Sequence, residues 1–153
     1  MSGNIAIGIQ DFSTIIQGNY FYIDKTPFIK EWWDCGDSAT LITRPRRFGK
    51  TLTMSMVEQF FSIDYAGRSD LFEHLAIWKE EKYRELQGTY PVISLSFARI
   101  KERDYEKTKQ KMCEVLRNIY IKFCYIKDSE KLTDADRAYY ERMLEEKDRK
   151  SVV

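Results

Sequence analysis

Two hydrophobic patterns alternate along the chain. Phe28, Ile29, Trp32 and Trp33 recur at helical spacing. They follow Thr26 and Pro27, a residue pair suited to the N-cap and first position of a helix, and Gly36 marks its end. Ahead of them, 20–23 is a short β-prone run. Residues 39–43, ATLIT, are apolar without alternation, the pattern of a buried strand. From 50 to 61, Leu52, Met56, Val57, Phe60 and Phe61 form one apolar helix face. The stretch 71–88 reads as one or two helical pieces ending at Gly88. Residues 90–97, YPVISLSF, form the second clear strand, apolar through Val92, Ile93, Leu95 and Phe97. A long helix is predicted over about 104–126. Its Met112, Val115, Leu116, Ile119, Tyr120 and Phe123 repeat at i, i+3, i+4, i+7, i+8 and i+11. Thr133 and Asp136 form a capping box that opens a last, very polar helix over roughly 134–147. It belongs to a polar helical tail, 128–153, whose final residues carry no core signature. Residues 1–19 are weakly patterned.

Strands separated by helices predict an α/β fold with a mostly parallel sheet. Two clear strands are too few to complete such a sheet. The expectation is therefore a single domain over 1–153 that forms the N-terminal portion of something larger.

Composition narrows the picture. The chain has 153 residues, 43% hydrophobic and 14% aromatic, enough for a packed core rather than a disordered chain. Charged residues make up 32%, yet the formal net charge is +1. No global field then selects nucleic acid or an anionic membrane, and any anion preference must be local. Cys35, Cys113 and Cys124 are odd in number and lack a C-x-x-C pair or a histidine pattern. That argues against a disulfide framework and a zinc site, and for reduced thiols. The start, MSGNIAIGIQDF, lacks the basic head and long apolar core of a signal peptide. No apolar run is long enough for a membrane span. The expectation is a cytoplasmic protein with no membrane partner.

The local cluster is 44–50, Arg-Pro-Arg-Arg-Phe-Gly-Lys, followed by Thr51. Strand, loop and helix in that order, closing on Gly-Lys-Thr, is how a phosphate-binding loop is built. Gly49 permits close backbone approach. Lys50 would reach the β- and γ-phosphates, and the Thr51 hydroxyl would bind magnesium. Two features oppose this reading. Arg44 stands where the motif has its first glycine, and Pro45 offers no N–H. The competing reading is a helix start behind a solvated basic loop.

"RPRRFGKT" after an apolar run, preceded by "YFYIDKTPFI" and followed by "MVEQFFS" and "YPVISLSF", resembles the AAA-ATPase-like family of predicted bacterial ATPases. In that family an arginine-rich loop replaces the glycine-led form. The resemblance covers about 7–97; beyond 104 only a general helical character matches. It implies a three-layer P-loop NTPase-like fold with ATP and Mg2+ as ligands. The implied nucleotide contacts are Arg44, Pro45, Arg46, Arg47, Phe48, Gly49, Lys50, Thr51 and Leu52, with Lys50 as the catalytic residue and Thr51 on the metal. The segment 22–26 matches the family's Y-[VI]-D-K-T motif. For Asp24 and Lys25 two readings stand: a place beside the nucleotide, or a turn and helix cap. Such proteins continue to a strand ending in a Walker B acid, and often to a nuclease-like domain of the PD-(D/E)XK type. YPVISLSF is followed instead by Ala98 and Arg99, and Asp104 lies further on. The expectation is thus nucleotide binding with poor hydrolysis or none. A nucleic-acid partner is expected only through a C-terminal domain of that kind. Homo-oligomers are compatible with the family.

His74, the only histidine, lies among Leu71, Phe72 and Leu75 and has no nucleophile signature around it; a structural or surface role is expected. The tryptophan stripe reads as core. The mixed-sign runs 79–85 and 142–150 read as solvated helix faces. The alternative function is a module in which Arg44, Arg46, Arg47 and Lys50 bind nucleic acid or protein without nucleotide, predicting steep salt dependence.

Overall fold

The computed structural model describes residues 4–98 and 100–145. The chain divides into two compact units, 1–92 and 93–153.

The first unit begins with α1, Phe12–Gln17. It starts there because the Asp11 carboxylate accepts the Thr14 amide at 2.8 Å. Helix α2, Pro27–Cys35, opens on its proline and stops at Gly36, which is left-handed at φ 64° and donates to the Trp33 carbonyl. Helix α3, Lys50–Phe61, buries Met56, Gln59, Phe60 and Phe61. Leu52 and Val57 pack half-buried against the same core. Three single 3₁₀ turns follow, Ile63–Tyr65, Ser69–Leu71 and Ala76–Lys79, and then the short α4, Glu81–Arg84. The predicted helical pieces of 71–88 thus shrink to the 3₁₀ turn Ala76–Lys79 and the short α4; the rest is mostly turns, and helix ends at Arg84, four residues before Gly88. This glycine is left-handed (φ 68°), and a Cβ on it would stand 2.5 Å from the Ala66 Cα.

The core is a relay of rings. Phe12 stacks on Phe72, Phe72 meets the edge of Phe60, Phe60 meets Phe61, and Phe61 stacks on Trp33, with centroids 5.0–5.3 Å apart. Such pairs add about 0.5–1.5 kcal/mol each beyond their buried area.

The expected α/β fold with a parallel sheet is not what these residues build. Among the described residues the pairing consists of one parallel bridge, Ser62 to Tyr90. Residues 39–43 carry no regular secondary structure and no main-chain pairing, and Leu41 is 86% exposed. Residues 91–97 likewise carry no regular secondary structure and no ladder, with Ile93, Leu95 and Phe97 exposed. In 20–23 the Tyr20 amide bonds back to the Ile15 carbonyl and the Phe21 amide to that of Asn4, and neither bond belongs to a ladder. The reason is physical. Strand-forming residues suit a half-buried pleated surface but do not create one. Here most of the core side chains come from helices and turns, with Tyr22, Tyr90 and Val92 packing onto them singly, so the apolar runs have no pleated neighbour.

In the second unit, α5 spans Tyr105–Lys122, with Asp104 capping it by accepting the Lys107 amide. It stops four residues short of the predicted end, and a 3₁₀ segment, Cys124–Asp128, takes over beyond the buried Phe123. Helix α6, Asp134–Glu145, carries the expected capping box: Asp136 donates its amide to the Thr133 hydroxyl and accepts the Thr133 amide and hydroxyl. The Arg117 guanidinium donates twice to the Leu144 carbonyl, and the Tyr140 hydroxyl donates to the Tyr120 carbonyl. Arg99, the predicted helical residues 146–147 and the rest of the tail lie outside the described residues.

Candidate functional site

The 44–51 loop ends where α3 begins, and its shape follows from two left-handed residues. Gly49 sits at φ 73°, ψ 22°, and Arg47 at φ 69°. Sequence reasoning expected trouble at Arg44, which has no positive φ. The unusual backbone falls on Arg47 instead, at a cost of roughly 1–2 kcal/mol for a residue with a Cβ. A left-handed residue followed directly by a helical one turns successive N–H groups toward one side, the anion-binding concavity called a nest.

The start of α3 carries no side-chain cap. The first main-chain bond of this turn runs from the Thr53 amide to the Gly49 carbonyl at 2.9 Å. The amides of Lys50, Thr51 and Leu52 precede it and have no acceptor among the described residues. Their partial positive charge adds to that of the helix dipole.

Two ammonium groups reach this loop. Lys50 folds back so that Nζ donates to the Arg44 carbonyl and, at 3.0 Å, to that of Pro45. Lys25 comes from the segment ahead of α2 and donates to the Phe48 carbonyl at 3.3 Å. A Cβ on Gly49 would stand 2.7 Å from the Lys25 Nζ, so the glycine makes room for that contact. Neither lysine has an ion-pair partner among the described residues.

The Tyr22–Thr26 segment explains how Lys25 gets there. Asp24 accepts the Thr26 amide (2.8 Å) and hydroxyl (2.7 Å) on one oxygen and the Ala76 amide (2.7 Å) on the other. Thr26, fully buried, accepts the Ile77 amide at 3.2 Å. The Tyr22 hydroxyl accepts the Lys25 amide and donates to the Met56 sulfur, both at 3.2 Å. Burial, with the nearby Asp24 charge, pushes the Tyr22 hydroxyl up to about 12, so it stays protonated. The turn foreseen for Asp24 is present and fixes the backbone on either side of Lys25, whereas α2 starts without a side-chain cap bond.

A cavity of about 420 Å³ opens beside the loop. Lys25, Arg44 and Lys50 line its basic part, and Pro27, Phe28, Ile42 and Phe48 its apolar part; Asp24, Glu31 and Thr53 complete it. This volume lies within the usual range of ligand sites, roughly 300–1,000 Å³. The chemistry gathered here is that of an anion site: free amides, two ammonium groups without an ion-pair partner, and a glycine whose Cβ would crowd the Lys25 ammonium. Thr51 stands exposed on the first turn of α3. Among the described residues no three His, Cys, Asp or Glu side chains gather into a metal cage.

Several predicted residues contribute main chain rather than side chain. Arg44 and Pro45 offer carbonyls to Lys50, while Arg46 and Arg47 extend exposed. The Leu52 side chain belongs to the core. Sequence reasoning missed Phe28, Glu31, Ile42 and Thr53. Phe28 and Glu31, three apart on α2, share a face, and their position just after the Asp-Lys-Thr turn is the signal that could have found them. His74 lies elsewhere, exposed, in a smaller hollow with Asn19, Tyr20 and Asp70.

No helix among the described residues is long and apolar enough to cross a membrane. No solved structure matches the chain. The uncharacterized protein in the vnfD 5′ region of Azotobacter chroococcum mcd 1 is similar, with 33% identity over 113 residues. The match covers 73% of this chain and 20% of that protein, so the chain spans about a fifth of its relative's length. The family described as "Predicted AAA-ATPase" matches residues 6–153. The chain belongs to this AAA-ATPase-like family.

Proposed function

We propose that the chain binds the triphosphate of ATP, with magnesium, on the 44–51 loop. One observation carries this reading: a left-handed Gly49 leads directly into an uncapped helix whose first amides are free, with Lys25 and Lys50 beside them. Three kinds of donor are thus available to one anion: main-chain N–H, the helix N-terminus and ammonium. In the proposed complex Lys50 exchanges the Arg44 and Pro45 carbonyls for phosphate oxygens. Lys25 makes the same exchange from the Phe48 carbonyl. The magnesium ion sits between phosphate oxygens and the Thr51 hydroxyl.

Isothermal titration with ATP and magnesium tests it. Wild type should bind, and Lys50→Ala should abolish binding while its circular dichroism is unchanged. Unaltered affinity in Lys50→Ala would remove the site. Thermal denaturation offers a second readout. A ligand at a hundred times its Kd stabilises the native state by about 2.7 kcal/mol, so wild type should melt higher with ATP and Lys50→Ala should not.

A further inference from the structure

Asp24 is a carboxylate whose place its charge does not explain. It lines the same cavity as Lys25, Arg44 and Lys50, where a negative group opposes the binding of an anion. Among the described residues it forms no salt bridge with any of those cations. Its partners are neutral donors instead: the Thr26 amide and hydroxyl on one oxygen, and the Ala76 amide on the other. A carboxylate offers about four lone-pair sites. Three of these bonds come from the chain itself, which leaves little of Asp24 for a metal ion or a ligand.

The bonds hold the backbone around Lys25. The Lys25 amide donates to the Tyr22 hydroxyl at 3.2 Å, and the Lys25 carbonyl accepts the Phe28 amide at 3.0 Å. Thr26 follows, fully buried, and its hydroxyl accepts the Ile77 amide at 3.2 Å. Ala76 and Ile77 open the 3₁₀ turn Ala76–Lys79, whose N-cap, Leu75, provides no side-chain acceptor. Amides at such a start lack an internal partner. Asp24 and Thr26 accept them across 52 and 51 positions of chain. The turn and the segment ahead of α2 thus satisfy each other. Lys25 extends from this braced backbone to the Phe48 carbonyl. A lysine stem is long and flexible, so a fixed backbone is what narrows the reach of its ammonium.

We propose that Asp24 is a positioning residue of the anion site: it contacts neither ligand nor metal and acts by holding Lys25 against the loop. This inference rests on the phosphate-site reading above. It adds to that site a part outside the loop, the 76–79 turn that anchors Asp24 and Thr26. Asp24→Asn separates this role from that of a bystander by the sign of its effect. The substitution removes a negative charge from the cavity, so a bystander would bind ATP more tightly once neutralised. It also turns one acceptor oxygen into a donor, so Thr26 and Ala76 can no longer both be held. Loss of that hold weakens binding.

Isothermal titration with ATP and magnesium compares wild type, Asp24→Asn, Lys25→Met and the double variant, each checked for its fold by circular dichroism. Lys25→Met should weaken binding about tenfold, the low end for one hydrogen bond to a charged group. Asp24→Asn should weaken it at least about threefold, and the double variant should bind no more weakly than Lys25→Met. Unchanged or tighter binding by Asp24→Asn would overturn the inference. So would an equal Asp24→Asn loss in the Lys25→Met background, whether a damaged fold or a lost metal contact caused it. Should Asp24→Asn not fold, Asp24→Glu keeps the charge and displaces the oxygens by one methylene; it should show the same dependence on Lys25, and unchanged affinity there would overturn the inference too. Wild-type affinity in Lys25→Met would sink the positioning role while leaving the Lys50 site standing. Absence of ATP binding by wild type would remove the phosphate site and this inference together.

Discussion

Gly49 meets two demands that no other residue type meets at once. Its backbone is left-handed, and its missing side chain leaves space for the Lys25 ammonium. Gly49→Ala should lower stability by about 1–2 kcal/mol, the usual cost of a Cβ in this conformation. The alanine methyl would also push the Lys25 tip off the Phe48 carbonyl. Urea denaturation reads the first effect, and ATP titration should show weakened binding. Arg47 already bears a similar backbone cost, so the loop holds one strained residue and avoids a second by using glycine. The Gly-Lys-Thr triplet was legible as chemistry because its residue types carry it directly. The role of Arg47 was not, since arginine gives no hint of a positive φ.

At the scale of elements, α1 and α3 are tied by one carboxylate. Asp11 caps α1 and also accepts the Gln59 side-chain amide of α3 at 2.7 Å. The Phe12 amide donates to the Ser55 hydroxyl at 3.0 Å. Burial alone would raise the Asp11 carboxyl, but bonds donated by Ser13, Thr14 and Gln59 outweigh it and leave the group below the ordinary carboxylate value. A carboxyl lowered in the folded state contributes stability above its unfolded value, near about 4, and loses it as pH falls through the folded value. Asp11→Ala should cost about 1–2 kcal/mol at pH 7, the range for a lost N-cap. Asp11→Asn keeps a capping oxygen and should retain most of that stability. It should also flatten Asp11's share of the decline below pH about 4, measured by thermal denaturation across pH. Helix starts at Pro27, Lys50 and Asp134 were legible from caps and apolar spacing. The burial of Gln59 was not, because a glutamine shows its partner only when α1 is laid against α3.

For the molecule as a whole, stability in the first unit depends on the ring relay. Phe60 is fully buried and touches both Phe61 and Phe72. Phe60→Ala should cost about 3–5 kcal/mol, a large part of the roughly 5–15 kcal/mol available to a typical domain. Equilibrium unfolding in urea should show a lower midpoint, and binding at the loop should fail only as the folded fraction falls. The near-neutral charge of the chain, +1, concentrates any anion preference in the loop rather than in a general field.

By itself the sequence determined the family motif, the starts of the main helices and the residue types able to hold a phosphate. These depend on neighbours within a few positions: a proline at N1, a capping carboxylate, a glycine before a lysine. Only the tertiary structure decided that 39–43 and 91–97 find no strand partner and that Tyr90 alone pairs, with Ser62, because a strand exists through the partner that bonds it. It also decided that Asp24 and Thr26 are tied to Ala76 and Ile77, which delivers Lys25 to a loop more than twenty positions away. Contacts across such separations depend on packing, and local pattern carries no record of them.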